Sequence, residues 1–360
     1  MQQAEYKAPK PAKEKRPRKR KDNEKRMSKG SRVLLIIVCI VVGIALLLAA
    51  TVFILDRIGH GAMTDSGDNM RAHNQAETVD AGLVRYKGKL YRYNDDISTI
   101  LFMGVDSKQK KGDVGEFGRA NQTDVVVLCA LDPNAKRITL VSISRDSMCD
   151  IEVLDDSGKS LGMAHAQLAL SYAYGDGGDI SCQLTSDAVS RLFYGLPISA
   201  YGSIYMDGVG RLTDLVGGIT VTPNESFGVF KAGQPVTLNS SNTESYLRYR
   251  DHSVEGNNGR MERHKGVILE LAKAMLRKIR QNPASILSLY DGVQKNVTTN
   301  LDAPSMVYLA RIASGMSLDT TVRKVEGTSV LGAQNHAEYN VDETALYELI
   351  LEIFYEPVKG

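Results

Sequence analysis

The 360-residue chain has only four cysteines and six histidines. No Cys-x-x-Cys pair occurs and the histidines are scattered, which argues against a zinc centre, since that metal needs several such ligands at short spacing. There is no Gly-x-Ser-x-Gly elbow and no Ser/His/Asp set that stands out, which argues against the hydrolases built on that turn. Gly158-Lys159-Ser160 resembles the end of a phosphate-binding loop, but Val153 stands where the first glycine belongs. Gly208 and Gly210 lack the third glycine and the preceding strand of a dinucleotide fingerprint. No internal repeat is present.

What is there begins with charge. Residues 1–32 carry 13 Lys/Arg against 4 Asp/Glu, a net of +9, and the remaining 31 Lys/Arg and 38 Asp/Glu give −7. An uncharged apolar run, 33–55, follows the basic stretch at once. Its length matches the ~20 residues a helix needs to cross a bilayer, and cationic flanks stay in the cytoplasm. The expectation is a single-pass anchor in the cell membrane, with a cytoplasmic N-terminus and residues 56–360 outside. A cleaved signal peptide would have a shorter apolar region of ~7–15 residues and a small-residue cut site. The basic tail lacks aromatic interleaving and contains Pro9, Pro11 and Pro17. It reads as a disordered topology signal rather than a nucleic-acid-binding arm.

Outside the membrane, 56–96 reads as a juxtamembrane linker with a small hairpin around Gly88, and 97–360 as one domain. Segments 99–105, 124–131 and 137–143 have strand character, the last two joined by a turn at Asp132-Pro133-Asn134. Helical spacing marks 164–173, 182–193, 260–279, 286–290, 306–314 and 341–354. Ser241 and Glu244 fit a capping box opening a short helix. Strands interspersed with helices predict a three-layer-like α/β/α domain with a central mixed sheet. Cys129 reads as a packed thiol. Cys149 and Cys182 fall in polar segments on the oxidising side, where a disulfide is permitted and spacing does not decide it.

Two carboxylates mark the ends of strands: Asp106 follows Met103-Gly104-Val105, and Asp124 opens the next strand. On a common rim they would suit Mg²⁺ with substrate phosphates; otherwise they cap a turn and a strand. Arg145 follows a buried strand directly. Arg248 and Arg250 share one side of an extended segment, and Arg260 and Arg263 share one face of a helix start. Converging guanidinium groups hold phosphates through paired bonds that lysine cannot make.

In order and spacing, these segments resemble the LytR-CpsA-Psr family of bacterial envelope proteins over roughly 97–270. The series runs Leu101-Phe-Met-Gly-Val-Asp106, Thr123-Asp124-Val-Val-Val-Leu128, Val141-Ser-Ile-Ser-Arg145-Asp146-Ser147, Tyr172-Ala-Tyr-Gly-Asp-Gly-Gly178, Asp214-Leu-Val-Gly-Gly-Ile219, Tyr246-Leu-Arg-Tyr-Arg250 and Gly259-Arg260-Met-Glu-Arg263. The resemblance implies transfer of a glycopolymer, such as a teichoic acid or capsule, from a polyprenyl-pyrophosphate carrier to peptidoglycan, releasing polyprenyl phosphate. It implies Mg²⁺ on Asp106 and Asp124, Arg145 at the breaking bond, Arg248, Arg250, Arg260 and Arg263 on the pyrophosphate, and an apolar tunnel for the prenyl chain. The chain departs from the pattern at Gln122, where an arginine is common and Arg119 is the nearest substitute. It also has His264 for a glutamine, Asn257 for an acid and Ser144 for a proline. Two further readings stay open: a hydrolase of the lipid pyrophosphate, and a non-catalytic regulator or scaffold binding lipid or glycan. The polymer, the acceptor position and the oligomeric state are not specified by these motifs.

Overall fold

A computed structural model describes residues 54, 56–64, 70–105, 117, 120–249, 256–333 and 335–358. A short helix α1 (56–63) precedes strands β1 (Ala76–Asp80), β2 (Leu83–Tyr86) and β3 (Lys89–Tyr93). The central strands β4 (Ser98–Val105), β5 (Thr123–Asp132) and β6 (Arg137–Ile143) come next, then a hairpin of β7 (Met148–Leu154) and β8 (Ser160–Gln167). Helices α2 (Leu168–Ala173) and α3 (Asp179–Leu192) lead to β9 (Ala200–Tyr205) and α4 (Met206–Leu215). After β10 (Ile219–Val221) and β11 (Val236–Leu238) come α5 (Thr243–Arg248), α6 (Gly256–Gln281), α7 (Ser285–Val293), β12 (Val297–Thr299) and α8 (Ala303–Ser314). The chain closes with β13 (Ser317–Leu318), β14 (Arg323–Lys324), β15 (Gly327–Leu331), β16 (Ala337–Val341), α9 (Glu343–Phe354) and β17 (Tyr355–Pro357).

The main sheet has seven strands in the order β12-β9-β4-β5-β6-β13, with β14 also on β6. It is mixed: β5 runs antiparallel to both β4 and β6, while β9 runs parallel to β4 and β13 parallel to β6. β5 is central because its Val-Val-Val-Leu-Cys-Ala run suits a pleated surface covered on both sides. Strand alternation then sorts its side chains. Val126, Leu128 and Ala130 join Leu101, Met103, Val141 and Ile143 in a core shared with α2, α3 and α9. Val127, Cys129 and Leu131 join Ile100, Ile138 and Leu140 in a second core against α6 and α8. The three-layer α/β/α arrangement follows from that alternation. A fully buried leucine such as Leu101 or Leu128 contributes roughly 1.5–3 kcal/mol to folding.

The structure differs from the sequence reading in several elements. Residues 164–167 are strand, not helix, because β8 pairs along its length with β7 and only Leu168 starts α2. The Ser241–Glu244 capping box does not form. Asn242 is the N-cap of α5, Ser241 Oγ donates to Asn239 Oδ1 at 2.6 Å, and Glu244 pairs with Arg248. Asp342, not Val341, opens α9, its carboxylate accepting from Ala345 N at 3.0 Å. Cys149 and Cys182 are both buried in the first core, and no disulfide joins them. The hairpin around Gly88 is present, with Lys87 and Gly88 at φ 48° and 76°. These positive values belong to the tight turns whose twist matches a hairpin. This hairpin, β1 and the C-terminal β17 form one four-stranded sheet. Among the described residues no helix is long and apolar enough to cross a membrane. The expected span, 33–55, lies outside them except for Ile54.

Candidate active site

Because β5 and β6 are antiparallel, the start of one meets the end of the other: Val126 pairs with Ile143. That register carries Asp124 and Arg145 to the same rim. The guanidinium of Arg145 is held on three sides. Nη1 donates to Asp124 Oδ1, Nη2 donates to Gln122 Oε1 at 2.6 Å, and Nε lies 3.5 Å from Asp146 Oδ1. The second oxygen of Asp124 meets Arg260 Nη2 at 2.5 Å, delivered by the first turns of α6. Asp124 is thus a nearly buried carboxylate, its side chain 9% exposed, bridging two arginines. Asp146 is more open, and burial raises its carboxyl above the ordinary value against the pull of Arg145.

The remaining candidates are placed differently. Arg263 is one helical turn from Arg260 but points elsewhere. Its guanidinium is buried, donates to Glu225 Oε1 and Tyr249 O, and lies 4.9 Å from the Phe227 ring and 5.3 Å from the Tyr249 ring. It pins the loop carrying Glu225 to α6. Arg248 ends helix α5 rather than lying on an extended strand, and pairs with Glu244 at 2.7 Å. Asp106, Arg119 and Arg250 lie outside the described residues. Asp106 directly follows Val105, which pairs with Thr123 beside Asp124.

Beneath the cluster lies a cavity of about 420 Å³ between the second face of the sheet and helices α4, α6, α7 and α8. Its walls are almost wholly apolar, including Val127, Cys129, Ile204, Leu271, Met275 and Leu309, and Asp124 stands in its lining. His264 lines it too. Burial and the nearby Arg260 push that imidazole down to about 4, so it is neutral at physiological pH. Its Nε2 lies 3.2 Å from the carbonyl of Leu247 and is the protonated nitrogen, since a carbonyl only accepts.

Sequence reasoning missed Gln122 as a partner of Arg145, held a pair with Asp146 only as the structural alternative, and expected an apolar tunnel from the resemblance alone, with no lining residue named. The signals for the lining were present: residues 125, 127, 129 and 131 recur at period two while 268, 272, 276 and 279 recur at helical spacing. The glycine-rich segment after Tyr172 contributes framework instead. Tyr172 and Tyr205 hydroxyls both donate to Gly177 O, at 2.9 and 2.7 Å, and Asp176 Oδ1 accepts from Gly178 N at 2.7 Å.

Fold and site together define an α/β protein that sets a carboxylate–arginine cluster over an apolar cavity. The chain belongs to the LytR_cpsA_psr family, whose model matches residues 59–352. It is 29% identical over 290 residues to an Enterococcus faecalis protein named polyisoprenyl-teichoic acid–peptidoglycan teichoic acid transferase TagU, covering 79% of this chain and 84% of that one. The protein of that name from Bacillus subtilis is 27% identical over 284 residues, covering 77% of this chain and 83% of the relative. Among solved structures, protein gbs0355 from Streptococcus agalactiae superposes with a TM-score of 0.58 at 23% identity, covering 71% of this chain and 86% of that one.

Proposed function

We propose that this chain is a membrane-anchored extracellular transferase that moves a glycopolymer from a polyprenyl-pyrophosphate carrier onto peptidoglycan. The observation that carries this reading is the junction of Asp124, Arg145 and Arg260 with an apolar cavity. A substrate that fits both parts has an anionic head and a long hydrocarbon tail. A lipid pyrophosphate has both, and its phosphoanhydride brings the activation with it, so no nucleotide is required. The names of the two relatives point to the same substrate class.

The chemistry asked of the protein is positioning and charge neutralisation. Arg145 and Arg260 would shift hydrogen bonds from Asp124 onto the phosphate oxygens as charge builds on the leaving phosphate. The acceptor hydroxyl attacks the glycan-bearing phosphorus and gives its proton to solvent, and the phosphoanhydride bond breaks so that polyprenyl phosphate leaves. Among the described residues no three His, Cys, Asp or Glu side chains converge on a metal position. Mg²⁺ needs only one or two carboxylates when phosphates and water complete its shell. Asp124 fits that demand: it is a hard oxygen donor, and each oxygen has a further lone pair beyond its arginine bond. With Asp106 it would hold the ion, which would supply additional neutralisation of the pyrophosphate.

The test combines full-length protein in bilayers with a lipid-pyrophosphate glycan, peptidoglycan fragments and Mg²⁺, following released lipid phosphate and glycan joined to peptidoglycan. Joined product that disappears on chelation is the expected result. Lipid phosphate without joined product would replace the transferase with a hydrolase. With neither product from a cognate donor, a binding or regulatory protein is the better reading.

A further inference from the structure

Helix α1 lies flat on the outside of α8. Gly59 makes the approach possible: a Cβ built there would fall 2.6 Å from Tyr308 Cβ and 2.7 Å from the Pro304 carbonyl oxygen, closer than real side chains come. One helical turn back, Asp56 pairs with Arg311. His60 stacks on the Tyr308 ring at 5.4 Å, and the Arg311 guanidinium lies 5.6 Å from the same ring. Met63, only 4% exposed, is buried in the core shared with Tyr308 and Leu309. The opposite side of α1 presents Ile58, 54% exposed. Four different kinds of contact within eight residues make a built interface, not a strand of linker resting on a surface.

The other face of α8 is a wall of the apolar cavity, through Met306, Leu309, Ala310 and Ala313. One helix therefore has α1 on its outer side and the cavity on its inner side. The 23 uncharged residues 33–55 end immediately before Asp56. We propose that α1 is a positioning element for the lipid-linked donor: docked on α8, it shortens the tether between the apolar run and the cavity, because the residues after the run are held against the cavity's own wall. The proposal rests on the transferase reading above. A short, docked tether raises the effective concentration of a bilayer-held chain at the cavity beyond what a slack linker gives. It adds nothing for a donor arriving from solution. The affected quantity is KM for the membrane donor, since α1 touches none of the groups at the reacting end.

The experiment uses the full-length protein in lipid nanodiscs with two donors: a long-chain polyprenyl-pyrophosphate glycan in the same bilayer, and a short-chain water-soluble analogue. Gly59→Leu, which forces the helices apart, and the surface variant Asp56→Arg are each expected to raise KM for the bilayer donor about tenfold at unchanged kcat. Turnover of the soluble donor should match the wild type. Exchanging the charges, Asp56→Arg with Arg311→Asp, should bring KM back. Equal loss with both donors, loss with neither, or no recovery on charge exchange overturns the proposal. If the wild type joins neither donor to peptidoglycan, the transferase reading itself fails and the positioning role falls with it.

Discussion

Arg145 meets three partners with one planar fork, and that geometry is what a lysine cannot reproduce. Arg145→Ala should lower joined product roughly 10²–10³-fold while circular dichroism stays native, and Arg145→Lys should recover little of the loss. His264 gives a second residue-level outcome. The folded chain keeps its imidazole neutral down to about pH 4, against an ordinary value of 6.5. Between those limits the unfolded chain binds the extra proton, so acidification favours unfolding. The stabilisation is fully present above pH 6.5 and is lost as pH falls to about 4, by roughly 2–3 kcal/mol. His264→Gln should flatten that part of the curve, read as the difference between wild-type and variant denaturation midpoints. Asp124, Arg145 and Arg260 were visible in sequence because each stands at the end of a periodic element. Arg263 shares a helix face with Arg260 and could not be told apart from it. Its position is decided by Phe227 and Tyr249, rings supplied by other segments of the chain.

At the scale of elements, long apolar patterns were legible and short paired strands were not. β4, β5 and β6 stand out because both faces of the sheet are covered. β7 and β8 escaped notice because their stability comes from each other: Ala164 and Ala166 pack inward while Met163 and His165 face out, a period of two that small alanines blur. Helix ends follow capping chemistry more closely than apolar spacing. Asp302 accepts from Ser305 N at 2.8 Å, and these bonds hold its carboxyl below the ordinary value. Asp302→Ala should cost about 1 kcal/mol in urea denaturation by leaving that N–H unpaired at the head of a cavity-lining helix.

For the molecule as a whole, the cavity is the property least readable in advance, since its walls come from segments spanning residues 100 to 318. Its proposed use gives a selective prediction. Ala310→Phe, at a wall position only 2% exposed, should fill space otherwise open to a hydrocarbon chain. Losing about two methylenes of contact would weaken a long-chain donor roughly tenfold in KM, with short-chain donors spared. The closing strand β17 has a different kind of consequence. It pairs with β3, and Asn94 Nδ2 reaches Glu356 Oε1 at 3.1 Å across 262 residues of sequence. The four-stranded sheet therefore cannot finish until β17 has been made. Until β17 has emerged from the ribosome, β3 lacks this partner and the final step of folding waits, and contacts of such long sequence separation form slowly in any case. In the extracellular reading proposed above, late completion is an asset: the domain stays incomplete during passage through a translocation channel and locks only on arrival.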